Sequence, residues 1–333
     1  MTSWRKSKIL AMVLPLLLVG AICLSLFTGS SSLSLPELWQ QLLAGQEDGV
    51  AYRIFLHVRL PRTLAATLAG AALAVSGAII QSVLNNSLAS PNIIGVNSGA
   101  GFCALLAASL APAATALAPV AAFAGALATS MLIYLVASKT GASRITLVLA
   151  GVAVSGILSA GMDTLSILFP DDVIGATGFM VGSFSGVTLS ALQPAGWLIL
   201  IGIILAVVFS YDLNVLALGE DIAAGLGMRV PLYRFLFIVI ASLLAGAAVS
   251  FAGLLGFVGL MVPHICRRFT GGDNRKVIPC SAVLGAVFAL VCDSIGKLAF
   301  APFELPVGIL LSFLGGPFFL FLLLKKGRGR IYD

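Results

Sequence analysis

Apolar runs of about twenty residues recur from one end of this chain to the other, and few charges interrupt them. Of the 333 residues, 59% are hydrophobic and 10% charged, where a soluble domain carries about 25% charged residues. A chain of this kind has lipid as its solvent. In lipid every backbone N–H and C=O needs a partner within the protein, and a helix of about 20 residues spans the hydrocarbon. Runs and breakers give ten segments, at about 9–28, 61–84, 93–110, 113–137, 145–169, 191–211, 232–251, 254–266, 277–298 and 305–324. No polar stretch is long enough for an aqueous domain, so residues 1–333 read as one all-α integral membrane domain. The eighth segment is too short to cross unaided, and Gly253, Gly256, Gly259 and Pro263 predict a broken helix there. The first segment follows Arg5, Lys6 and Lys8 and is longer than a signal-peptide core, so it reads as a retained first helix.

Cytoplasmic loops collect Lys and Arg. With the N-terminus inside, all but four of the nineteen Lys and Arg fall on the inner face, and both termini are expected in the cytoplasm. The exceptions are Arg53, Arg59, Arg62 and Lys297. Three of them lie within ten residues, in and before "RLPRTLAATLAG", Arg59 to Gly70. Pro61 suits a first helical turn, which would start the helix there and put Arg62 near the positive end of its dipole. Two readings are open for these cations. They snorkel to lipid phosphates, or they form a docking site for acidic groups of an external partner.

Leu68-Ala69-Gly70-Ala71-Ala72 recurs as Leu244-Ala245-Gly246-Ala247-Ala248. The two strings sit in segments that run in opposite directions, as an inverted internal repeat requires. Gly95 with Gly99, and Gly151 with Ser155, would let helices approach closely. Asp163 and Asp293 fall near outer helix ends, so no chain of mid-membrane acids offers coupling to protons or sodium. No G-x-x-x-x-G-K-[ST] loop is present for ATP. The protein is then either a passive pore or a machine powered by another subunit. Cys23, Cys103, Cys266, Cys280 and Cys292 lack C-x-x-C spacing and read as small buried hydrophobes. His57 and His264 are far apart in sequence, so neither a metal centre nor a cofactor on this chain is expected.

The longest polar-interrupted inner segment is 212–231, "DLNVLALGEDIAAGLGMRVP", in which Gly219, Gly225 and Gly227 mark off two short helical pieces. It is either an ordinary interfacial loop or a handle gripped by a cytoplasmic ATPase.

Six stretches, in order, carry a resemblance: "RLPRTLAATLAGAALAVSGAIIQ", "NNSLASPNIIGVNSGAG", "LVLAGVAVSG", "LALGEDIAAGLG", "GFVGLMVPHICRRFTG" and "ELPVGILLSFLGGPFFLFLL". Together they resemble the FecCD-type permease subunits of type II ABC importers for iron-siderophores, haem and cobalamin. The resemblance implies ten spans per subunit in a bacterial cell membrane and a pair of permeases, identical or related. It also implies two cytoplasmic ATPase subunits that bind ATP-Mg, a substrate-binding protein outside, and no role for nucleic acid. It places binding-protein docking at Arg59, Arg62 and Lys297, where lysine keeps the charge but loses the bidentate fork. ATPase coupling falls on Gly219, Glu220, Ala224, Leu226 and Gly227, and the translocation gate on Asn86 and Leu88. The family pattern Asn-Pro-Leu-Ala-x-Pro reads Asn86-Ser87-Leu88-Ala89-Ser90-Pro91 here, which predicts a looser gate turn. A ferric siderophore is the first expectation for the cargo, with haem and cobalamin behind it. A passive channel and a secondary transporter are the rival classes.

Overall fold

The computed structural model of the protein describes residues 3–29, 36–37, 40–41, 49–139 and 144–328. Arg330, one of the cations expected on the inner face, lies outside them. Every regular element among the described residues is helical. In chain order these are α1 Ser3–Phe27, α2 Val50–Val83, a 3₁₀ turn Pro91–Ile94, α3 Val96–Leu110, α4 Leu117–Lys139, α5 Arg144–Leu168, α6 Pro170–Val181, α7 Leu189–Val208, α8 Ser210–Ala217, α9 Glu220–Gly225, α10 Val230–Ala252, α11 Val258–Thr270, α12 Asn274–Leu298 and α13 Val307–Arg328. A helix overlaps each segment expected from the apolar runs. Six of these (α2, α4, α5, α7, α10 and α12) are long and apolar enough to cross a membrane. Val13–Phe27, Val96–Leu110 and Val307–Leu322 are shorter apolar helices, and α11 has thirteen residues.

The expected start of the second helix at Pro61 is wrong. The helix begins at Val50 and passes through a π-helical stretch, Phe55–Arg59, just before the proline. Proline has no N–H and its ring collides with the carbonyl four residues back. A π turn widens the ladder at that point, so the helix continues through Pro61. Arg62 therefore lies twelve residues into a continuous helix, and the dipole argument made for it no longer applies. α6 was not anticipated either.

The core is built on α2 and α10, which are buried over most of their length and packed against each other. Around them the packing repeats. α2 crosses α12 and α11 as α10 crosses α4 and α3; α11 packs on α12 as α3 packs on α4. The two Leu-Ala-Gly-Ala-Ala strings sit at corresponding crossings. A side chain on Gly70 of α2 would run into the backbone oxygen of Gly285 on α12, and one on Gly246 of α10 would meet Ala126 of α4 at 3.1 Å. Small residues let backbones touch where lipid provides no hydrophobic drive for association. α1 and α7 stand outside the repeat, α1 against α12 and α7 against α10.

The break expected in the eighth segment is present as the short α11. Gly253 has φ +72°, and Phe257 adopts a left-handed conformation just before the helix. Pro263 cannot donate to the carbonyl of Gly259 four residues back. The Gln81 side-chain amide of α2 supplies donors instead, at 3.4 Å to Gly259 O and 3.2 Å to Leu260 O. Orphaned backbone groups at membrane depth need such neighbours.

Candidate functional site

Hydrogen bonds between helix ends define two poles of the bundle. At one, Ser183 N donates to Ala252 O and Gly308 N donates to Gly182 O. The expected docking cations lie at this pole, but they are not laid out on its surface. Arg62, Lys297 and Arg59 are all buried. Asp293 and Lys297 lie one turn apart on α12, which puts both on the face turned to α2. Asp293, 1% exposed, accepts from Arg62 Nε at 3.0 and 3.1 Å and from Nη2 at 2.9 Å. Its other oxygen lies 2.7 Å from Lys297 Nζ. Arg62 Nη1 reaches Glu304 in the α12–α13 connection, the one member of the cluster with substantial exposure at 28%.

Helix α1 is stitched to the same cluster. Lys297 Nζ donates to Ser25 Oγ at 3.4 Å, Ser25 and Thr63 share a hydrogen bond of 2.9 Å, and Arg59 Nη1 donates to Leu26 O at 2.9 Å. Taking two cations and a carboxylate out of water costs several kcal/mol per ion, which only close geometry offsets. Removing one partner of such a cluster costs about 3–5 kcal/mol. The cluster ties α2 to the ends of α1 and α12. Two of the expected landing cations are already matched by carboxylates of their own chain.

At the other pole, α8 and α9 project between α7 and α10. Gly219 (φ +117°) and Gly227 (φ +85°) bracket α9 in conformations that side chains resist. Ala223 is fully buried, while Leu218, Ile222 and Leu226, spaced four apart, are each more than half exposed. The expected coupling residues are thus brought together on one small knob, Ala224 included. Glu220, half-exposed, pairs with the buried Arg234 of α10. The polar residues at this pole that sequence reasoning missed are Asn214, Arg234, Arg267, Asp273 and Asn274. Asp273 caps α12, and its carboxylate is held down to about 2, first by the Arg275 guanidinium and also by the Asn214 amide.

The expected gate residues lie on the turn after α2. Asn85 sits at φ +46°, and the Asn86 side chain accepts from Leu88 N at 3.0 Å while Asn86 O accepts from Ala89 N at 3.0 Å. The turn is pinned by Asn86, despite the serine at 87. Ser87 and Leu88 border a cavity of about 550 Å³ shared with His264 and Arg268 of α11 and Phe318 of α13. His264 meets the Phe318 ring edge-on at 6.1 Å. Among the described residues no three His, Cys, Asp or Glu side chains converge as metal ligands would. Cys266, Cys280 and Cys292 are buried, Cys103 is half-buried, and Cys23 is exposed on α1.

Comparison with known proteins agrees with this architecture. The model of the FecCD transport family matches residues 16–325. The Fe(3+)-citrate import system permease protein YfmE of Bacillus subtilis is 35% identical over 330 residues, covering 98% of each chain. The iron(3+)-hydroxamate import system permease protein FhuB of the same organism is 40% identical over 318 residues, covering 94% of this chain and 82% of its own. A solved inward-facing conformation of a metal-chelate type ABC transporter superposes with a TM-score of 0.82 at 31% identity, over 96% of this chain and 99% of the other. With a family match over nearly its whole length and relatives this similar end to end, the chain belongs to the FecCD transport family.

Proposed function

We propose that this chain is the permease subunit of an ABC importer that carries a ferric siderophore across a bacterial cell membrane. It works in a pair with two ATPase subunits at the Glu220 pole, in the cytoplasm, and an external binding protein at the Arg62 pole. The observation that carries the reading is the knob of α8 and α9. Three large apolar side chains, Leu218, Ile222 and Leu226, stand in the open at the pole rich in Lys and Arg. An exposed apolar cluster rimmed by polar residues marks a protein contact. A chain without an ATP-binding loop needs an outside source of work, and this contact supplies the place for it.

The pairing has its own support. The uncovered side of α5 is largely apolar, with Leu149, Val152 and Ile167 exposed, but it also carries the acid Asp163 beside Ser159 and Thr164. Lipid disfavours that acid, whereas a second subunit or a water-filled path between two subunits accepts it. The cargo follows from the relatives, two of which are named for ferric citrate and ferric hydroxamate import. Haem or cobalamin is the alternative cargo for the same machinery. The chain performs no reaction. Binding-protein docking and ATP hydrolysis each bias the bundle only through differential affinity for its outward-open and inward-open states. Docking through Arg62 and Lys297 requires an acidic group of the partner to replace Glu304, since Asp293 is too deeply buried to be reached.

The test is uptake of radiolabelled ferric siderophore by cells or vesicles, with ATP depleted in one arm and the proton gradient collapsed in the other. The importer reading expects loss with ATP alone. Uptake that survives ATP depletion would return the chain to the channel or secondary-transporter class. The ligand retained by a co-purified binding protein identifies the cargo.

A further inference from the structure

The coupling knob is joined to the gate turn by one continuous set of hydrogen bonds, part-buried except for the fully buried Ser82–Asn274 contact. We propose that Asn214 and Asn274 are positioning residues that pass displacement of the α8–α9 segment to the inner ends of α2 and α11, and so to the turn carrying Asn86 and Leu88. This rests on the reading of α8–α9 as the ATPase contact.

The Asn214 carboxamide works in both directions. Its Nδ2 donates to Asp273 Oδ1 at 2.7 Å, and its Oδ1 accepts from Asn274 N at 2.8 Å. That clips α8 to the first turn of α12. α8 is also seated by Leu213 and Leu216, both buried. Asn274 is fully buried, and its Oδ1 accepts from Ser82 Oγ of α2 at 3.0 Å and from Arg267 Nη2 of α11 at 3.1 Å. The same Arg267 nitrogen donates to Ser82 Oγ at 2.8 Å and Ala78 O at 3.2 Å. Four elements therefore meet at two asparagines.

From Ser82 the connection to the gate is short. Asn85 N donates to Ser82 O at 3.1 Å and Asn86 N donates to Gln81 O at 2.9 Å, which fixes the turn directly to the last residues of α2. Arg267 adjoins Arg268, which with His264 lines the other side of the gate cavity. Hydrogen bonds of this kind are directional, and leaving a buried partner unmet is costly. Elements they hold tend to shift together. Contiguity alone does not establish transmission, so the claim stands or falls on coupling.

The experiment uses the complete importer in vesicles and measures substrate moved per ATP hydrolysed. Asn214→Leu removes both hydrogen bonds at similar volume. Binding-protein-stimulated hydrolysis should stay within about twofold of wild type, while substrate per ATP should fall about tenfold. Asn214→Asp alone sets two carboxylates against each other and should also uncouple. Combined with Asp273→Asn it restores a donor and an acceptor at the same place, and most of the yield should return. Should Asn214→Leu fail to accumulate, the Asn214→Asp and Asp273→Asn pair decides alone. Hydrolysis and uptake falling in parallel, or a pair no better than its single members, overturns the proposal. A wild-type chain that carries no ATPase overturns the function reading as well.

Discussion

The two poles of the bundle handle charge in opposite ways. At the Arg62 pole, Arg62, Asp293 and Lys297 are packed out of water and satisfy one another, with Glu304 alone reaching toward solvent. At the Glu220 pole the ion pairs Glu220–Arg234 and Asp273–Arg275 and the contacts of Asn214 with Asp273 and Asn274 leave an apolar knob uncovered. The first pole is built to hold three helices in register. The second, under the proposed function, is the one an ATPase grips. Clustered cations are thus a poor guide to a landing surface, because a buried counterion cancels them, whereas uncovered leucines have no such internal match.

Breaking the Arg62–Asp293–Lys297 cluster should have the largest effect. Asp293→Ala leaves two buried cations without their shared carboxylate and should cost about 3–5 kcal/mol, read as a marked fall in melting temperature in detergent or loss of the protein from the membrane. Unchanged stability would mean the cluster is open to water. The reversal of Arg62 to Glu belongs to the same class, since it sets a third carboxylate against Asp293 and Glu304. It reports on folding before it reports on docking.

Arg234→Leu sharpens the contrast from the other side. It frees the half-exposed Glu220 with little loss of stability, and should lower substrate moved per ATP several-fold in reconstituted vesicles. A loss of stability matching that of Asp293→Ala would erase the distinction between the poles. Ser25→Ala tests the rim of the Arg62–Asp293–Lys297 cluster, where one hydrogen-bonded hydroxyl is lost, and should cost about 1 kcal/mol in the same melting measurement.

The smallest expected effect is that of pH. Asp273 has its folded-state pKa lowered to about 2, first by the Arg275 side chain. Its contacts therefore contribute stability above the ordinary carboxylate range, near 4, and lose it only as pH falls toward 2. Coupling carried through Asp273 should be flat between pH 5 and 8 in vesicles. A step in that window would place another titrating group in the network.

Much of the fold was legible because lipid leaves so few choices. Apolar runs located the helices, and the paired Leu-Ala-Gly-Ala-Ala strings marked equivalent crossings, since small residues are needed wherever backbones touch. Pro61 misled, because a π-helical stretch lets a helix run through a proline that would otherwise begin one. At the sites, the knob was legible from its glycines and its charged start. Arg59, Arg62 and Lys297 meet at one corner, where the structure buries them rather than laying them out on the surface. The spacing of Asp293 and Lys297 on one helix face was available in the sequence. The meeting of Arg62 with Asp293, 231 residues away, leaves no trace in a single chain. The same holds for Asn214 with Asp273, which only the fold brings together.

The central claim is that the exposed knob receives a motor. The direct measurement is co-purification of the ATP-hydrolysing subunit with the wild-type chain and with Ile222→Asp/Leu226→Asp, in which the apolar contact is charged without touching the buried Ala223. The account predicts that wild type retains the ATPase and ATP-dependent uptake, and that the variant, correctly inserted and equally stable, loses both. An ATPase that stays bound to the charged knob, or uptake that never needed one, would contradict it.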